Sequence, residues 1–187
     1  MSGRYEIFDK PLRDLKLIER KPFGDDRGYL ERLFCAEEMR SLTSGRCIAQ
    51  INHTFTARRG TVRGLHFQYP PYAEIKFVNC VRGQVFDVAV DVRHGSSTFL
   101  QWHAEILSGD NHRTLVIPEG FAHGFQAMHD ECEMLYLHTA AYQPSHEGGL
   151  NAKDPRLDIR WPCEITEWSE RDASHALLTA DFAGLSV

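Results

Sequence analysis

The sequence predicts an all-β protein, a sandwich or jelly roll with a few short helices near the N- and C-termini. Short segments are rich in β-branched and aromatic residues, several of them alternate hydrophobic with polar residues, and turn signals separate them at short intervals. This spacing is typical of antiparallel sandwiches rather than of alternating βα units. The chain has 187 residues, enough for a substantial core, and we expect residues 1–187 to form one domain.

The central segments carry the clearest strand patterns. Residues 84–92 (QVFDVAVDV) alternate and place Phe86, Val88 and Val90 on one face, and residues 99–107 (FLQWHAEIL) alternate in the same way. Glycine-containing turns such as Arg82-Gly83 separate such segments. Further short segments of similar composition complete the predicted strands: 47–55, 74–81, 113–118 and 133–142.

Two segments are the best candidates for helices. Residues 36–42 (AEEMRSL) contain strong helix formers, and residues 169–178 (SERDASHALL) open with a good N-cap residue. In the second segment Asp172 follows Ser169 by three positions, which is the spacing of a capping box. We therefore expect short helices at both places.

Composition excludes several functional classes. The formal net charge is −5, without the basic excess that nucleic-acid binding demands, and no apolar run approaches the length of a membrane span. The N-terminus lacks a charged-then-apolar signal pattern, which predicts a cytoplasmic protein. The 5 cysteines are scattered without a CxxC pair, so neither a zinc ribbon nor a disulfide framework is indicated.

Two histidines lie in short glycine-containing strands, in RGLHFQ (63–68) and PEGFAHGF (118–125). A metal-binding cupin, a small β-sandwich, commonly offers an HxH pair with a glutamate and a later histidine. Here Gln68 replaces the second imidazole and is a poor ligand for a transition metal, leaving His66, His123 and Glu74 at most. We therefore disfavour a metal site and expect no metal or other cofactor.

Acid–base chemistry fits the same residues better. Histidine is well matched to proton transfer near neutral pH, and Asp172 is a candidate to orient His66 if the C-terminal segment folds back. The alternative is that Asp172 only caps its helix. Tyr136 is either a proton donor or a core aromatic residue. Lys76, in an otherwise apolar strand, lies at an exposed edge or is functional, because burying an unpaired ammonium is costly.

Arginines form a second group of candidates. In a net acidic protein Arg27, Arg63 and Arg171 suit a phosphate or diphosphate if they face a cavity. A strictly alternating strand would send Arg63 and His66 to opposite faces. Both reach one cavity only if Gly64 permits a bulge or twist.

With these residues identified, the chain resembles the dTDP-4-dehydrorhamnose 3,5-epimerase family, enzymes of deoxysugar-nucleotide biosynthesis. The combination of RGLHFQYPP, then PEGFAHGF, then a tyrosine followed by a second tyrosine six residues later is highly specific. The matching segments occur in family order over roughly residues 5 to 180: 25–31, 49–52, 60–71, 76–99, 117–125, 136–147 and 169–172.

The resemblance implies a cupin-type jelly-roll β-sandwich without a metal or cofactor, and a homodimer with N-terminal strand exchange. It implies an isomerase that inverts carbons 3 and 5 of dTDP-4-dehydro-6-deoxyglucose through an enolate. By position, His66 matches the base, Asp172 its orienting carboxylate, Tyr136 the acid and Lys76 the lysine near the ketone. Positions matching substrate contacts, some across the dimer, are Arg27, Glu31, Gln50, Asn52, Arg63, His123, Tyr142, Glu147 and Arg171.

Three alternatives stay open at this stage. The first is a single-carbon epimerase, at carbon 3 or carbon 5, of a related nucleotide sugar. The second is a metal-dependent cupin oxygenase, which Gln68 disfavours. The third is a non-catalytic sugar-nucleotide binder, which has no need of a His–Asp pair opposite a tyrosine.

Overall fold

A computed structural model describes residues 3–187, and in them the chain is almost entirely β-structure. One short α-helix, α1 (Glu170–Ala173), and one 3-10 turn (Pro144–His146) accompany the strands. The strands are β1 (Tyr5–Asp9), β2 (Lys16–Arg20), β3 (Phe23–Asp25), β4 (Gly28–Leu30), β5 (Gln50–Thr56), β6 (Val62–Gln68), β7 (Lys76–Arg82), β8 (Gln84–Asp91), β9 (Trp102–Ser108), β10 (Arg113–Ile117), β11 (Phe121–Ala127), β12 (Cys132–His138) and β13 (Glu147–Gly149).

Two antiparallel sheets form the sandwich. The larger has the order β1-β2-β10-β7-β12-β5, and the smaller has the order β13-β6-β11-β8-β9. Strands β3 and β4 form a separate hairpin. The all-β sandwich predicted from the sequence is therefore confirmed.

The main core lies between the two sheets. Leu17, Val78, Leu115, Phe125 and Met134 are among its fully or almost fully buried members. Burying side chains of this size stabilises the fold by roughly 1.5–3 kcal/mol each. This packing fixes the distance and orientation of one sheet relative to the other, on which any site between them depends.

Each sheet is also covered on its outer face. The C-terminal segment packs Leu150 and Leu157 onto the five-stranded sheet, and the segment around Met39 packs onto the six-stranded sheet. Strand β8 is consequently buried on both faces: Val88 and Val90 point outward into the C-terminal cluster, while Val85 and Ala89 point into the sandwich. Such double burial explains its near-continuous hydrophobic sequence.

The helix predictions are only partly right. Residues 36–42 form turns. Two helix-type hydrogen bonds are present, from Met39 N to Cys35 O (2.9 Å) and from Thr43 N to Met39 O (3.1 Å), but the residues between them do not continue the pattern into a helix. A segment of this length is marginal as a helix, and packing of Met39 decides its shape. In the second segment only α1 is helical, although Ser169 Oγ does accept from Asp172 N at 3.0 Å as its N-cap.

Strand boundaries also differ from the sequence patterns. Residues 99–101 lie in a turn, so β9 begins at Trp102, and β12 ends at His138 although the pattern continued to 142. The N-terminal strands β1 to β4 were not predicted from local pattern. Within residues 3–187, no helix combines the length and hydropathy needed to cross a membrane.

Candidate active site

A cavity of about 840 Å³ opens between the two sheets and is partly covered by the C-terminal segment. Strands β6 and β11 supply one wall, β5, β7 and β12 supply the other, and residues 167–172 lie at its edge. Most of the predicted site residues line it: Gln50, Asn52, Arg63, His66, Lys76, His123, Tyr136, Tyr142, Glu147, Arg171 and Asp172.

His66 and Asp172 form a hydrogen-bonded pair. Asp172 is 3% exposed, and its Oδ1 lies 2.8 Å from His66 Nε2, while its Oδ2 accepts from the backbone N–H of Gly64 at 3.2 Å. Burial alone would raise the pKa of Asp172, but the hydrogen bonds and charge of His66 together with the Gly64 N–H lower it to about 2. The Asp172 carboxylate is thus ionised and does more than cap its helix.

Gly64 brings Arg63 and His66 to the same cavity. In the pairing of β6 with β11, His66 lies opposite His123 and Arg63 lies opposite Phe125. The two β6 residues are three positions apart and the two β11 residues are two positions apart, so β6 has one extra residue, a β-bulge. This bulge breaks the alternation at Gly64, whose φ is +117°. A Cβ there would lie 2.5 Å from Gly124 Cα, so the close approach of β6 and β11 requires glycine.

Tyr136 faces the same cavity from the opposite sheet. It lies on β12, is 8% exposed, and its hydroxyl is 3.4 Å from Thr54 Oγ1. Burial is the main cause that raises the pKa of the phenol well above its usual value, so the hydroxyl stays protonated at neutral pH. A protonated phenol on one wall and an imidazole–carboxylate pair on the other can exchange protons with two faces of one ligand.

Lys76 is buried on the central strand β7 rather than at an edge. Its Nζ donates to the carbonyl oxygen of His66 at 3.2 Å and lies 3.4 Å from Glu74 Oε1. Glu74 Oε2 in turn is 2.9 Å from His138 Nδ1. Burial raises the pKa of Glu74, but Lys76 and His138 outweigh it and the pKa is lowered. The ammonium is therefore compensated inside the cavity.

His123 is paired with Asp87, a residue that the sequence analysis missed. His123 Nε2 lies 2.7 Å from Asp87 Oδ1, and both residues are buried. Burial raises the pKa of Asp87, and the charge and hydrogen bond of His123 oppose that rise. The available signal was an acidic residue between the apolar residues Phe86 and Val88 of β8. His138 was missed as well, and its only sequence signal is its position two residues after Tyr136 on the same strand face.

A polar rim surrounds the cavity mouth. Tyr142 OH donates to Glu147 Oε2 at 2.8 Å, and Arg171 Nη1 donates to the same oxygen at 2.8 Å. Gln50 accepts from the backbone N–H of Tyr142 at 2.9 Å and donates to Asn52 Oδ1 at 3.0 Å. The rim therefore presents an exposed aromatic ring beside a guanidinium and amides.

Arg27 and Glu31 do not lie in the cavity of this chain. Arg27 is exposed at the turn of the β3–β4 hairpin and pairs with Asp25 at 2.5 Å. Glu31 is held away by Arg20 (2.8 Å) and His112 (2.9 Å). Their expected substrate contacts are not formed within one chain.

The alternative metal triad is not assembled. His66, His123 and Glu74 are each engaged by another group, as described above, and Gln68 donates to the Tyr72 carbonyl at 3.0 Å. Within residues 3–187, His66, Asp172 and His175 form the one group of three such side chains whose possible ligand atoms all lie within 4.8 Å of one another. A guanidinium nitrogen of Arg171 lies 3.1 Å from His66 Nε2, which opposes a cation at that place.

Comparison with known proteins finds relatives that match most of the chain. The dTDP-4-dehydrorhamnose 3,5-epimerase of Sinorhizobium fredii is 42% identical over 169 residues, 89% of this chain and 86% of the relative. The Legionella pneumophila dTDP-6-deoxy-D-glucose-3,5-epimerase, solved with dTDP-4-keto-L-rhamnose, superposes with a TM-score of 0.90 at 37% identity, covering 98% of this chain and 99% of that one.

A more distant structure is also informative. A 3'-monoepimerase from Streptomyces bikiniensis, solved with dTDP-quinovose, has a TM-score of 0.84 at 30% identity and covers 90% of this chain and 85% of that one. The family model described as dTDP-4-dehydrorhamnose 3,5-epimerase matches residues 9–180. The cupin-type jelly roll and these matches agree, and the chain belongs to the dTDP-4-dehydrorhamnose 3,5-epimerase family.

Proposed function

We propose that this chain is an isomerase that inverts carbons 3 and 5 of dTDP-4-dehydro-6-deoxyglucose, giving dTDP-4-dehydrorhamnose. The observation that carries the proposal is the placement of His66 and Tyr136 on opposite sheets, facing one cavity. Inversion at carbon needs a base on one face of the sugar and an acid on the other. The named relatives and structural neighbours support the substrate class.

His66 is the base. Its Nε2 lies 2.8 Å from the ionised Asp172 and 3.1 Å from Arg171 Nη2. We assign the ring proton to Nε2 because the carboxylate contact is the shorter of the two and the Asp172 oxygen can only accept. Among residues 3–187 no hydrogen bond reaches Nδ1, so that nitrogen is free to accept a proton from carbon 3 or carbon 5. The ketone at carbon 4 acidifies both positions. Asp172 then stabilises the imidazolium that forms.

Lys76 stabilises the enolate. Proton removal places negative charge on the oxygen of carbon 4, and a fixed buried ammonium is worth far more there than in water. Tyr136 returns a proton from the opposite face, and its raised pKa keeps it in the proton-bearing form that this step needs. The step moves protons alone, so it requires no oxidant or reductant.

The polar rim binds the nucleotide end. Tyr142 offers an exposed ring for stacking on the base, and Arg63 and Arg171 suit the diphosphate. His123 lies deeper and suits the sugar, while Gln50, Asn52 and Glu147 supply hydrogen bonds at the rim.

A homodimer completes the site in this proposal. Phe23, Tyr29 and Leu30 on the β3–β4 hairpin are 69%, 62% and 67% exposed, which is a large apolar exposure for so short an element. Exchange of this hairpin between chains would bury these side chains and bring Arg27 and Glu31 towards the partner subunit's cavity.

The five free cysteines support the predicted cytoplasmic location, where thiols stay reduced.

Incubation with dTDP-4-dehydro-6-deoxyglucose in heavy water tests the function. Deuterium at carbons 3 and 5, with the L-rhamno product seen by NMR, is the expected result. Absence of exchange by the folded protein would overturn the proposal for this substrate.

A single-carbon epimerase is the second candidate, and the structural match to a 3'-monoepimerase favours it. Both enzymes need the same base, acid and enolate stabiliser. The same experiment separates them, because deuterium would enter only one carbon.

A further inference from the structure

Lys76 does not act alone in the cavity. Its ammonium bridges the two sheets, because β7 belongs to the larger sheet while the carbonyl it binds, that of His66, belongs to the smaller. The position of Nζ therefore determines the distance between the enolate-stabilising charge and the base. A flexible four-carbon side chain needs further contacts to be fixed in this way.

Glu74 supplies the second contact and the compensating charge. Its Oε1 lies 3.4 Å from Lys76 Nζ, and both side chains are buried. An unpaired ammonium at such a place would lose several kcal/mol of solvation, so the pair keeps the cation in the cavity. The pKa of Glu74 is lowered by Lys76 and His138 in spite of burial, which keeps it ionised at neutral pH.

His138 fixes the other oxygen of that carboxylate. The ionised Glu74 carboxylate can only accept, so His138 Nδ1 carries the proton that it donates to Glu74 Oε2 at 2.9 Å. The other nitrogen, Nε2, is then the acceptor and lies 3.5 Å from Asn52 Nδ2. His138 lies on β12 on the same face as Tyr136, and the two ring centroids are 6.2 Å apart. The chain of contacts through Asn52, His138, Glu74 and Lys76 thus extends from the cavity rim to the backbone carbonyl of His66.

We propose that Glu74 and His138 are positioning residues that hold the Lys76 ammonium in place for enolate stabilisation. This inference rests on the proposed function. Neither residue needs to touch the sugar. Their effect passes through Lys76 and is exerted on the transition state, so it lies in kcat more than in KM.

A double-mutant cycle tests the inference. We expect Lys76→Met to lower kcat by about 10²–10³-fold, as for loss of one oxyanion-stabilising donor. Glu74→Gln should lower kcat by about 10–100-fold with KM changed less than threefold, and His138→Asn should lower kcat by about 3–10-fold. The variant carrying both Glu74→Gln and Lys76→Met should be no slower than Lys76→Met alone, because Glu74 then has no cation to hold.

The chain contains a matched control outside the cavity. Lys10, Glu105 and His103 form a second Lys–Glu–His group, with Glu105 Oε1 2.6 Å from Lys10 Nζ and 2.8 Å from His103 Nε2. Glu105→Gln removes the same charge from the same kind of group, and we expect wild-type kcat. Equal kcat losses in Glu74→Gln and Glu105→Gln would overturn the inference, since loss of the glutamate charge from a Lys–Glu–His group anywhere in the fold would then be enough to lower kcat.

The inference would also be overturned if the double variant lost kcat by the product of the two single losses, because Glu74 would then act independently of Lys76. If Glu74→Gln does not fold, as judged by its thermal unfolding, the cycle is run with His138→Asn and decides in the same way. A wild-type protein without deuterium exchange would instead sink the proposed function, so the two failures are distinguishable.

Discussion

Replacing Asp172 with asparagine should invert the proton position on the imidazole of His66, the proposed base. In the native pair, Asp172 Oδ2 accepts from the Gly64 N–H and Oδ1 accepts from His66 Nε2. Asparagine has one acceptor oxygen, and the Gly64 N–H, which can only donate, selects that oxygen. The amide NH₂ then faces His66 and makes Nε2 the acceptor. The ring proton moves to Nδ1, the nitrogen that accepts the substrate proton in the proposed mechanism.

The size of the loss follows from two contributions. Restoring the correct tautomer requires the amide to flip, leaving the Gly64 N–H unpaired at about 1–3 kcal/mol. Burial raises the pKa of Asp172, but His66, with smaller contributions from the Gly64 N–H and Ser169, lowers it from 3.8 to about 2, and loss of the carboxylate charge removes the contribution of His66. That is roughly 2–3 kcal/mol before screening and about 1–2 kcal/mol after it, because water reaches His66 through the cavity. Together about 2–5 kcal/mol corresponds to a roughly 30- to 5,000-fold fall in kcat.

Deuterium incorporation under single-turnover conditions measures this loss, with binding of dTDP and thermal unfolding measured in parallel. We expect Asp172→Asn to fold and to bind dTDP close to wild type, since the substitution keeps the size of the side chain. An Asp172→Asn protein that retains more than a third of wild-type kcat would refute the tautomer argument and would leave Asp172 as a helix residue only.

Three further outcomes are expected. Tyr136→Phe should wash deuterium into the starting sugar without inversion, because His66 still exchanges its proton on one face; mass spectrometry and NMR distinguish the two, and normal epimerisation would remove Tyr136 from the proposed acid role. Gly64→Ala should cost about 3 kcal/mol or more in denaturant unfolding, since φ is +117° and the new Cβ meets Gly124 Cα at 2.5 Å; near-native stability would contradict the close-approach argument. Burial raises the pKa of Glu105, but His103 and Lys10 lower it from 4.5 to about 2, so the stability that ionised Glu105 contributes to the fold is complete above about pH 4.5 and is lost as pH falls towards 2. The unfolding free energy of Glu105→Gln should therefore depend less on pH between 4.5 and 2 than that of the wild type. An unchanged pH dependence in that range would contradict this prediction.

The strands could be predicted where local pattern and tertiary burial agree. Residues 84–92 were predicted to be a strand from alternation alone, and β8 covers Gln84–Asp91 of them, because both faces of that strand are buried. Residues 36–42 have helical propensity but lie flat against the larger sheet, and packing of Met39 and Leu42 outweighs a propensity of a few tenths of a kcal/mol per residue. The short strands β3 and β4 carry too few residues for alternation to be recognised.

The site was predictable in its residue types and less so in its pairings. The His66–Asp172 contact joins residues 106 positions apart in the sequence. Nothing in the local sequence of α1 distinguishes an aspartate that caps the helix from one whose carboxylate binds a side chain on a distant strand. Glu74 was considered only as a metal ligand, because a carboxylate near histidines fits that pattern equally well from sequence. Its role beside Lys76 and His138 depends on β7 and β12 being neighbours, which sheet order alone determines.

The sandwich itself accounts for the two-sided chemistry proposed here. Packed sheets lie about 10 Å apart, so strands that face each other can place functional groups above and below a flat ligand between them. His66 on β6 and Tyr136 on β12 occupy such positions, and Lys76 joins the two sheets through the His66 carbonyl. A site built on one sheet, or on one loop, would present both groups from the same side and return the proton to the face it left. The opposed placement therefore favours inversion over simple exchange, and it does so through rigid strands whose separation is set by the core.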